Sequence, residues 1–179
     1  MSRLDTLLAR FTAHLELPWQ PSAPRVWIVV YDRADERRLR ARLDAFEAAA
    51  TSRGLTWATV DATPLVPEWL GGHEYAEAYF ESPDLLDAEV GDVQEVAESR
   101  VLDALKAGAA AGRQSVVALV GAGGLYGFAD VPALIRAVEQ EVTGRLVVFF
   151  PGSVEKGRYR LLDGHDGWDY RALAITADD

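Results

Sequence analysis

Three short runs of almost entirely apolar residues constrain the fold more than any other feature of the sequence. They cover residues 25–31, 115–120 and 145–150, and each is rich in valine, isoleucine or phenylalanine. A strand that is apolar at every position is typical of a parallel sheet covered on both faces. We expect Pro151 and Gly152 to close the third run. Parallel strands need long crossovers, so helices are expected between the runs.

The segments between these runs carry the spacing of amphipathic helices. Helices are predicted over residues 2–17, from a cap at Asp32 to Gly54, near 74–80, over 85–111, and from a cap at Asp130 to about 142. Helices that alternate with buried strands indicate the α/β class.

Three further strands complete the predicted architecture. They are expected at 55–61 and, as two strands or a hairpin, at 158–162 and 171–175. The sequence therefore predicts one three-layer α/β domain over residues 25–176, with a mainly parallel central sheet flanked by helices. An N-terminal helix and a proline-rich connector precede this domain over residues 1–24.

The net charge of −10 is confined to one segment. Residues 68–103 hold eleven acids and one base, Arg100, whereas the rest of the chain holds seventeen of each. The chain lacks the basic field that binds nucleic acid or an anionic membrane, so neither partner is expected. Along the predicted long helix, Glu89, Asp92 and Glu95 lie opposite the apolar stripe. This face is either simply solvated or a docking site for a basic partner surface.

Composition and motif content disfavour several classes of function. The chain has no cysteine, which excludes disulfides, thiolate metal sites and cysteine nucleophiles. No apolar run approaches the roughly 20 residues of a membrane span, and residues 1–10 lack the apolar core of a secretion signal. The three histidines are scattered, and no Gly-x-Ser-x-Gly motif is present. We expect a soluble cytoplasmic protein without catalytic residues, a bound metal or a cofactor.

The sharpest local motif is Val-Gly-Ala-Gly-Gly-Leu-Tyr-Gly, which begins at the end of the run at 115–120. Its Gly121, Gly123 and Gly124 let a ligand approach the backbone, and loop N–H groups of this kind can hold a phosphate. The motif lacks the Gly-Lys-Ser/Thr of a nucleotide-binding P-loop, and Tyr126 stands where a dinucleotide motif requires glycine. The pattern favours a packed turn, with ligand binding as the alternative.

Several of these features follow predicted strands directly. Asp32, Asp61, the glycine motif and the stretch 151–153 each come after an apolar run. Because the carboxyl ends of parallel strands share one edge of a sheet, a ligand site would lie at this edge.

Two other clusters have both a structural and a functional interpretation. Asp163, His165 and Asp166 offer metal ligands, but the two Asp-Gly pairs in the same stretch favour a turn between strands. The arginines of residues 33–42 could contact a phosphate backbone. The interleaved acids instead favour a solvated face or a face that docks an acidic partner.

Four segments carry motifs in a consistent order. Residues 26–43 are a strand followed by Tyr-Asp-x-x-x-Glu, 120–128 contain Gly-x-Gly-x-x-Tyr, 144–152 end in Phe-Pro-Gly, and 159–175 contain Tyr-Arg-Ala. This combination resembles the BrxB family, accessory proteins of BREX, a phage-defence system of bacteria and archaea. The resemblance covers most of residues 25–175.

The resemblance implies a non-catalytic assembly or adaptor subunit of a BREX-type antiviral complex. The expected partner is a PglZ-like protein, with the methyltransferase PglX and the ATPase BrxC as further candidates. Three aromatic residues of the family-like segments, Tyr126, Trp168 and Tyr170, join the three acids as candidate partner contacts. The alternative function is a small nucleotide- or phosphate-binding enzyme that uses the loop from Gly121 to Gly124.

Overall fold

Five parallel strands form the central sheet in the computed structural model, which describes residues 2–162, 164 and 167–178. They are β1 (Val26–Tyr31), β2 (Thr56–Asp61), β3 (Ser115–Val120), β4 (Arg145–Glu155) and β7 (Leu173–Ile175). Their order across the sheet is β2, β3, β4, β1, β7. Two short strands, β5 (Arg158–Leu161) and β6 (Trp168–Asp169), add to β4 in antiparallel fashion.

The three apolar runs are buried parallel strands, as predicted, and they form the middle of this sheet. Every residue of β1 and β3 is buried, and so are the first seven residues of β4. β4 lies between the other two, with Phe149 opposite Val29 and Val147 opposite Ala118. Side chains on both sides of these strands enter a core, which is why the runs are apolar at every position.

Helices cover both faces of the sheet and give three layers. They are α1 (Arg3–Glu16), α2 (Glu36–Arg40), α3 (Leu43–Thr51), α4 (Leu65–Gly72), α5 (Ala76–Glu81), α6 (Val90–Gly108) and α7 (Val131–Val138). α1 and α3 pack against the face that carries Trp27 and Val29, while α6 and α7 pack against the face of Ile28 and Val148. The chain is therefore a single α/β domain. In the part of the chain that the structure describes, no helix is long and apolar enough to cross a membrane.

The N-terminal helix is tied into the core. The Ser2 hydroxyl accepts a hydrogen bond from Asp5 N–H at 3.2 Å, and the Asp5 carboxylate accepts one from Ser2 N–H at 2.8 Å. This reciprocal cap satisfies two of the helix's free donors. Leu7 and Phe11 are fully buried in the cluster that also holds Trp27. The helix thus packs flat on the sheet.

The long helix predicted over 85–111 is shorter than expected. It is α6, with one 3-10 turn before it at Pro83–Ala88 and another after it at Ala109–Gln114. Gly112 has a φ of +55°, a conformation that side chains disfavour, and it redirects the chain into β3. The prediction therefore began the helix five residues too early and ended it three residues too late.

The helix predicted from Asp32 to Gly54 is interrupted. The Asp32 side chain caps a 3-10 turn by accepting from Ala34 N–H at 2.9 Å, as expected of a cap. α2 then ends, and α3 begins after Arg42, whose φ of −124° is not helical.

β4 also differs from its prediction, because Pro151 and Gly152 do not end the strand. Up to Pro151 it pairs in parallel with β1, and from Gly152 onward it pairs antiparallel with β5. Pro151 has no N–H to donate, but its carbonyl oxygen accepts from Leu162 N–H at 2.8 Å. A two-residue turn at Lys156 and Gly157, both with positive φ, returns the chain into β5.

Candidate functional site

The carboxyl ends of β1, β2, β3 and the parallel part of β4 lie along one edge of the sheet, where the sequence predicts any ligand site. A cavity of about 270 Å³ opens there. It is lined by the glycine loop and by side chains that follow β1 and β2, among them Arg33, Glu36, Arg40, Thr63, Gly121, Gly123 and Gly124. The edge therefore combines glycine backbone with arginine side chains.

Position 121 requires glycine for two reasons, its backbone conformation and the lack of room for a side chain. Its φ is +73°, and a Cβ at this position would lie 2.8 Å from Arg40 Nη2 and 2.8 Å from Asp61 Oδ1. It would also overlap the hydroxyl of Thr63. A side chain here would displace the guanidinium of Arg40 and two groups that end or follow β2, so the glycine has a structural reason.

The other two glycines of the motif are also closely packed. A Cβ at Gly123 would lie 3.3 Å from the ring of Pro151, and one at Gly124 would lie 3.2 Å from Thr63 Cα. The N–H groups of Gly124 and Tyr126 donate to carbonyl oxygens within the loop, at 2.9 and 3.2 Å. These contacts favour the packed-turn interpretation of the motif.

Arg40 joins the elements at this edge through hydrogen bonds to two carboxylates. Its Nε donates to Glu36 Oε1 at 2.8 Å, and Nη1 and Nη2 donate to the two oxygens of Asp61 at 2.9 and 3.2 Å. Nη2 also donates to the Thr63 hydroxyl. The hydrogen bonds from Arg40, opposed in part by burial, lower the pKa of Asp61 to about 2. The positive charge of Arg40 is thus neutralised within the chain.

This pairing limits the chemistry of the cavity. A phosphate site needs N–H groups and positive charge directed at the ligand, and here Arg40 and two loop N–H groups are already engaged. Sequence reasoning missed the contact between Arg40 and Asp61 because it spans 21 residues. The sequence did place Asp61 at the end of a predicted strand, and this was the one indication that it lies at this edge of the sheet.

A second region of interest combines acids with exposed apolar side chains. We call residues 75–95 the acidic–aromatic surface; they comprise α5, the following 3-10 turn and the first turns of α6. Phe80 is 71% exposed, Tyr75 58% and Leu85 51%. Three of the large apolar side chains that are exposed thus lie within one short segment of the chain.

The three acids named as candidate partner contacts belong to this surface. Glu89 is partly buried, while Asp92 and Glu95 are exposed. They are spaced three residues apart, so they lie near one another where α6 begins. Burial and the carboxylate of Glu89 raise the pKa of Tyr79, and the charge of Asp92 adds to this effect. Glu89 and Asp92 therefore lie close to Tyr79 of α5.

The acids of the charged segment are almost all unpaired. Of the eleven acids in residues 68–103, Glu68 alone lies within ion-pair distance of a base among the residues described, with its Oε2 3.7 Å from Arg100 Nη2. The segment's negative charge is therefore left to solvent or to a partner.

An aromatic cluster beneath this surface was not predicted. The ring of His73 lies 5.0 Å from that of Trp69 and 5.0 Å from that of Tyr79, and 5.8 Å from that of Tyr75. The high aromatic content of residues 69–80 was the available signal. These contacts hold α4 and α5 together and include one of the exposed side chains, Tyr75.

The other predicted partner contacts divide into two groups. Tyr126 is 52% exposed on the glycine loop. Trp168 and Tyr170 are partly buried, and the ring of Trp168 lies 6.1 Å from Phe150 and 5.7 Å from Tyr170. The Tyr170 hydroxyl donates to Glu139, and burial together with this bond raises its pKa. These two rings help to pack β6 against the core.

The predicted turn or metal site at Asp163, His165 and Asp166 lies outside the described residues. Within the described part, no three histidine, cysteine or acidic side chains are grouped to hold a metal ion.

Comparisons with known proteins add no identification. No family model matches the chain, and searches of curated proteins and of solved structures gave no match.

Proposed function

We propose that this chain is a non-catalytic assembly subunit of a BREX-type phage-defence complex, and that it acts in the cytoplasm by binding a PglZ-like protein. The observation that carries the proposal is the acidic–aromatic surface, where acids without a basic partner among the described residues share one segment with exposed apolar side chains.

Charge defines the kind of partner surface that fits. Glu89, Asp92 and Glu95 have no basic partner among the described residues, so their mutual repulsion is uncompensated within the chain. A surface rich in lysine and arginine would relieve this repulsion and accelerate association. The partner surface is therefore basic.

The exposed apolar side chains supply the second requirement of an interface. Phe80, Tyr75 and Leu85 present area that would leave water on binding. Aromatic side chains of this kind dominate the energy of many interfaces when they enter a partner's pocket. Because the ring of Tyr75 already packs against His73, holding this side chain in place costs less conformational entropy on binding.

The link to BREX rests on the resemblance of the motifs. Several motif residues have clear structural roles: Gly121 accommodates the Arg40 network, and Pro151 with Gly152 switches β4 between two sets of partners. Motifs that determine a fold, and not a reaction, are what a non-catalytic subunit would retain.

Expression of a tagged chain with the rest of its operon tests the proposal. We expect a PglZ-like protein to co-purify at 50 mM salt and to be lost from Phe80→Asp but not from Ala48→Asp, which adds the same charge at an exposed apolar residue outside this surface. Recovery of the wild-type chain alone, or equal loss in both variants, would contradict the proposal.

A second candidate function uses the cavity at the glycine loop. The observation that favours it is the presence of Arg33 and Arg40 beside Gly121, Gly123 and Gly124 in one cavity. A nucleotide bound there would stabilise the fold by about 2.7 kcal/mol at one hundred times its Kd. Thermal unfolding in the presence of ATP, GTP, NAD and inorganic phosphate distinguishes the two functions, because the assembly subunit shows no shift.

A further inference from the structure

A separate cavity lies at the opposite edge of the sheet, where β1 and β4 begin. Its volume is about 270 Å³, and its lining comes from the end of α1, the proline-rich connector and the starts of the strands. The walls are mostly apolar and include Leu17, Pro18, Trp19, Trp27 and Leu173, with one cation, Arg145.

Arg145 is buried to a degree that is rare for a charged residue. It is 8% exposed, and its guanidinium carbon lies 5.1 Å from the ring centroids of both Trp19 and Trp27. Contact with two aromatic faces compensates part of the cost of removing a cation from water. Burial also lowers the pKa of Arg145, although arginine keeps its charge at any physiological pH.

The hydrogen bonding of this guanidinium is incomplete. Nη1 donates to the Arg113 carbonyl oxygen at 3.2 Å, whereas Nε is buried without a partner in the described part of the chain. No carboxylate of a described residue lies within ion-pair distance of Arg145. Arg40, at the other edge, is bonded to two carboxylates. A buried cation with unused donors calls for an anion.

We propose that this cavity binds a carboxylate that is attached to an apolar group. The guanidinium would bind the carboxylate through its unused N–H groups, a geometry that arginine favours. Trp19, Trp27 and Leu173 would enclose the apolar part. One cation matches a single negative charge, and the small volume limits the apolar part to one ring or one branched side chain.

Two sources can supply this chemistry. One is a free carboxylic acid with a small apolar body, and the other is the C-terminal carboxylate of a peptide that ends in an apolar residue. The proposal is independent of the acidic–aromatic surface, so either can fail without the other.

Titrations of the wild-type chain provide the main test. The probe is 3-phenylpropionate, its control is the neutral 3-phenylpropionamide, and tryptophan fluorescence with indole N–H resonances reports binding. We expect saturable binding of the acid that is at least tenfold tighter than that of the amide. Equal affinity for the acid and the amide would overturn the proposal. So would the failure of both 3-phenylpropionate and the peptide described next to bind saturably.

A tripeptide, acetyl-Ala-Ala-Leu, with a free or an amidated C-terminus distinguishes the sources. Tighter binding of the free-acid peptide than of 3-phenylpropionate identifies a chain terminus as the ligand, and the reverse order identifies a free acid. Both orders support the shared chemistry, whereas equal binding of the free and amidated peptides contradicts recognition of a terminal carboxylate.

Variants test the assignment to Arg145. Arg145→Gln is expected to weaken binding of the acid at least tenfold and leave binding of the amide unchanged. Arg113→Gln removes an exposed guanidinium nearby and serves as the control with unchanged binding. Circular dichroism checks that each variant is folded. Trp19→Phe keeps an apolar wall, and the loss of its indole N–H resonance identifies the signal that we expect to shift when the acid binds. Equal binding by Arg145→Gln and wild type would refute the assignment.

Discussion

The arginine-rich segment 33–42 and the acidic–aromatic surface are both highly charged, but their charges are organised in opposite ways. In the first, Arg40 bonds Glu36 and Asp61, and Arg42 bonds Asp5. In the second, no acid has a basic partner among the described residues, and the long contact between Glu68 and Arg100 lies outside the surface. Charges paired within the chain join its elements, whereas unpaired charges beside exposed rings remain available to a partner.

The largest effect is expected at the glycine loop, which contacts the hydrogen-bond network of Arg40. Gly121→Ala places a Cβ against Arg40 and Asp61 at a φ of +73°. We expect a loss of about 2–4 kcal/mol in the free energy of unfolding. Gly127→Ala is the matched control, because its φ of +81° is similar but nothing lies within 4 Å of its Cβ. Urea denaturation measures both, and equal losses would mean that strain alone acts and the network contributes nothing.

Removal of the charge at Asp61 tests the network more mildly. Asp61→Asn is expected to cost about 1 kcal/mol or less at pH 7, because the pair is partly exposed to solvent. The folded-state pKa of Asp61 is depressed to about 2, so the stabilisation is present above the unfolded-state pKa and is lost as pH falls from about 4 towards 2. Denaturation curves across this range should therefore converge for wild type and variant. A difference that stays constant with pH would contradict the pairing.

The acidic–aromatic surface should contribute little to stability. Phe80→Ala is expected to change the free energy of unfolding by less than about 0.5 kcal/mol, because the ring is largely exposed. Phe46→Ala, which truncates a fully buried ring, should cost about 3–5 kcal/mol. A large loss in the first variant would show that Phe80 serves the fold, which would remove it from the proposed interface.

The fold was largely predictable because its strands are buried on both faces. The continuous apolar runs identified β1, β3 and the parallel part of β4 without knowledge of their partners. The antiparallel continuation of β4 was missed because Pro151 and Gly152 usually end a strand. At Pro151 the strand continues although proline has no N–H group to donate. At Gly152 the absence of a side chain lets the backbone of β5 come close.

The sites were less predictable, because they depend on contacts between distant residues. The partners of Arg40 follow from the register of β2 beside the glycine loop, which composition does not reveal. Arg145 begins an apolar run, and arginine is seldom buried, so nothing in the pattern distinguished it from an exposed strand end. The acidic face was visible in the sequence, but its junction with the aromatic side chains of α5 required the structure.

Charge reversal on the acidic–aromatic surface tests the central claim most directly. The triple variant Glu89→Lys, Asp92→Lys, Glu95→Lys is compared with Glu47→Lys, Glu141→Lys, Glu155→Lys, which makes the same charge change at exposed acids elsewhere. The affinity of each for the purified PglZ-like protein is measured at 50 and 300 mM salt. We predict at least about tenfold weaker binding for the first triple at low salt, a smaller difference at high salt, and near-wild-type binding for the second. Equal affinities for the two triples would contradict the account.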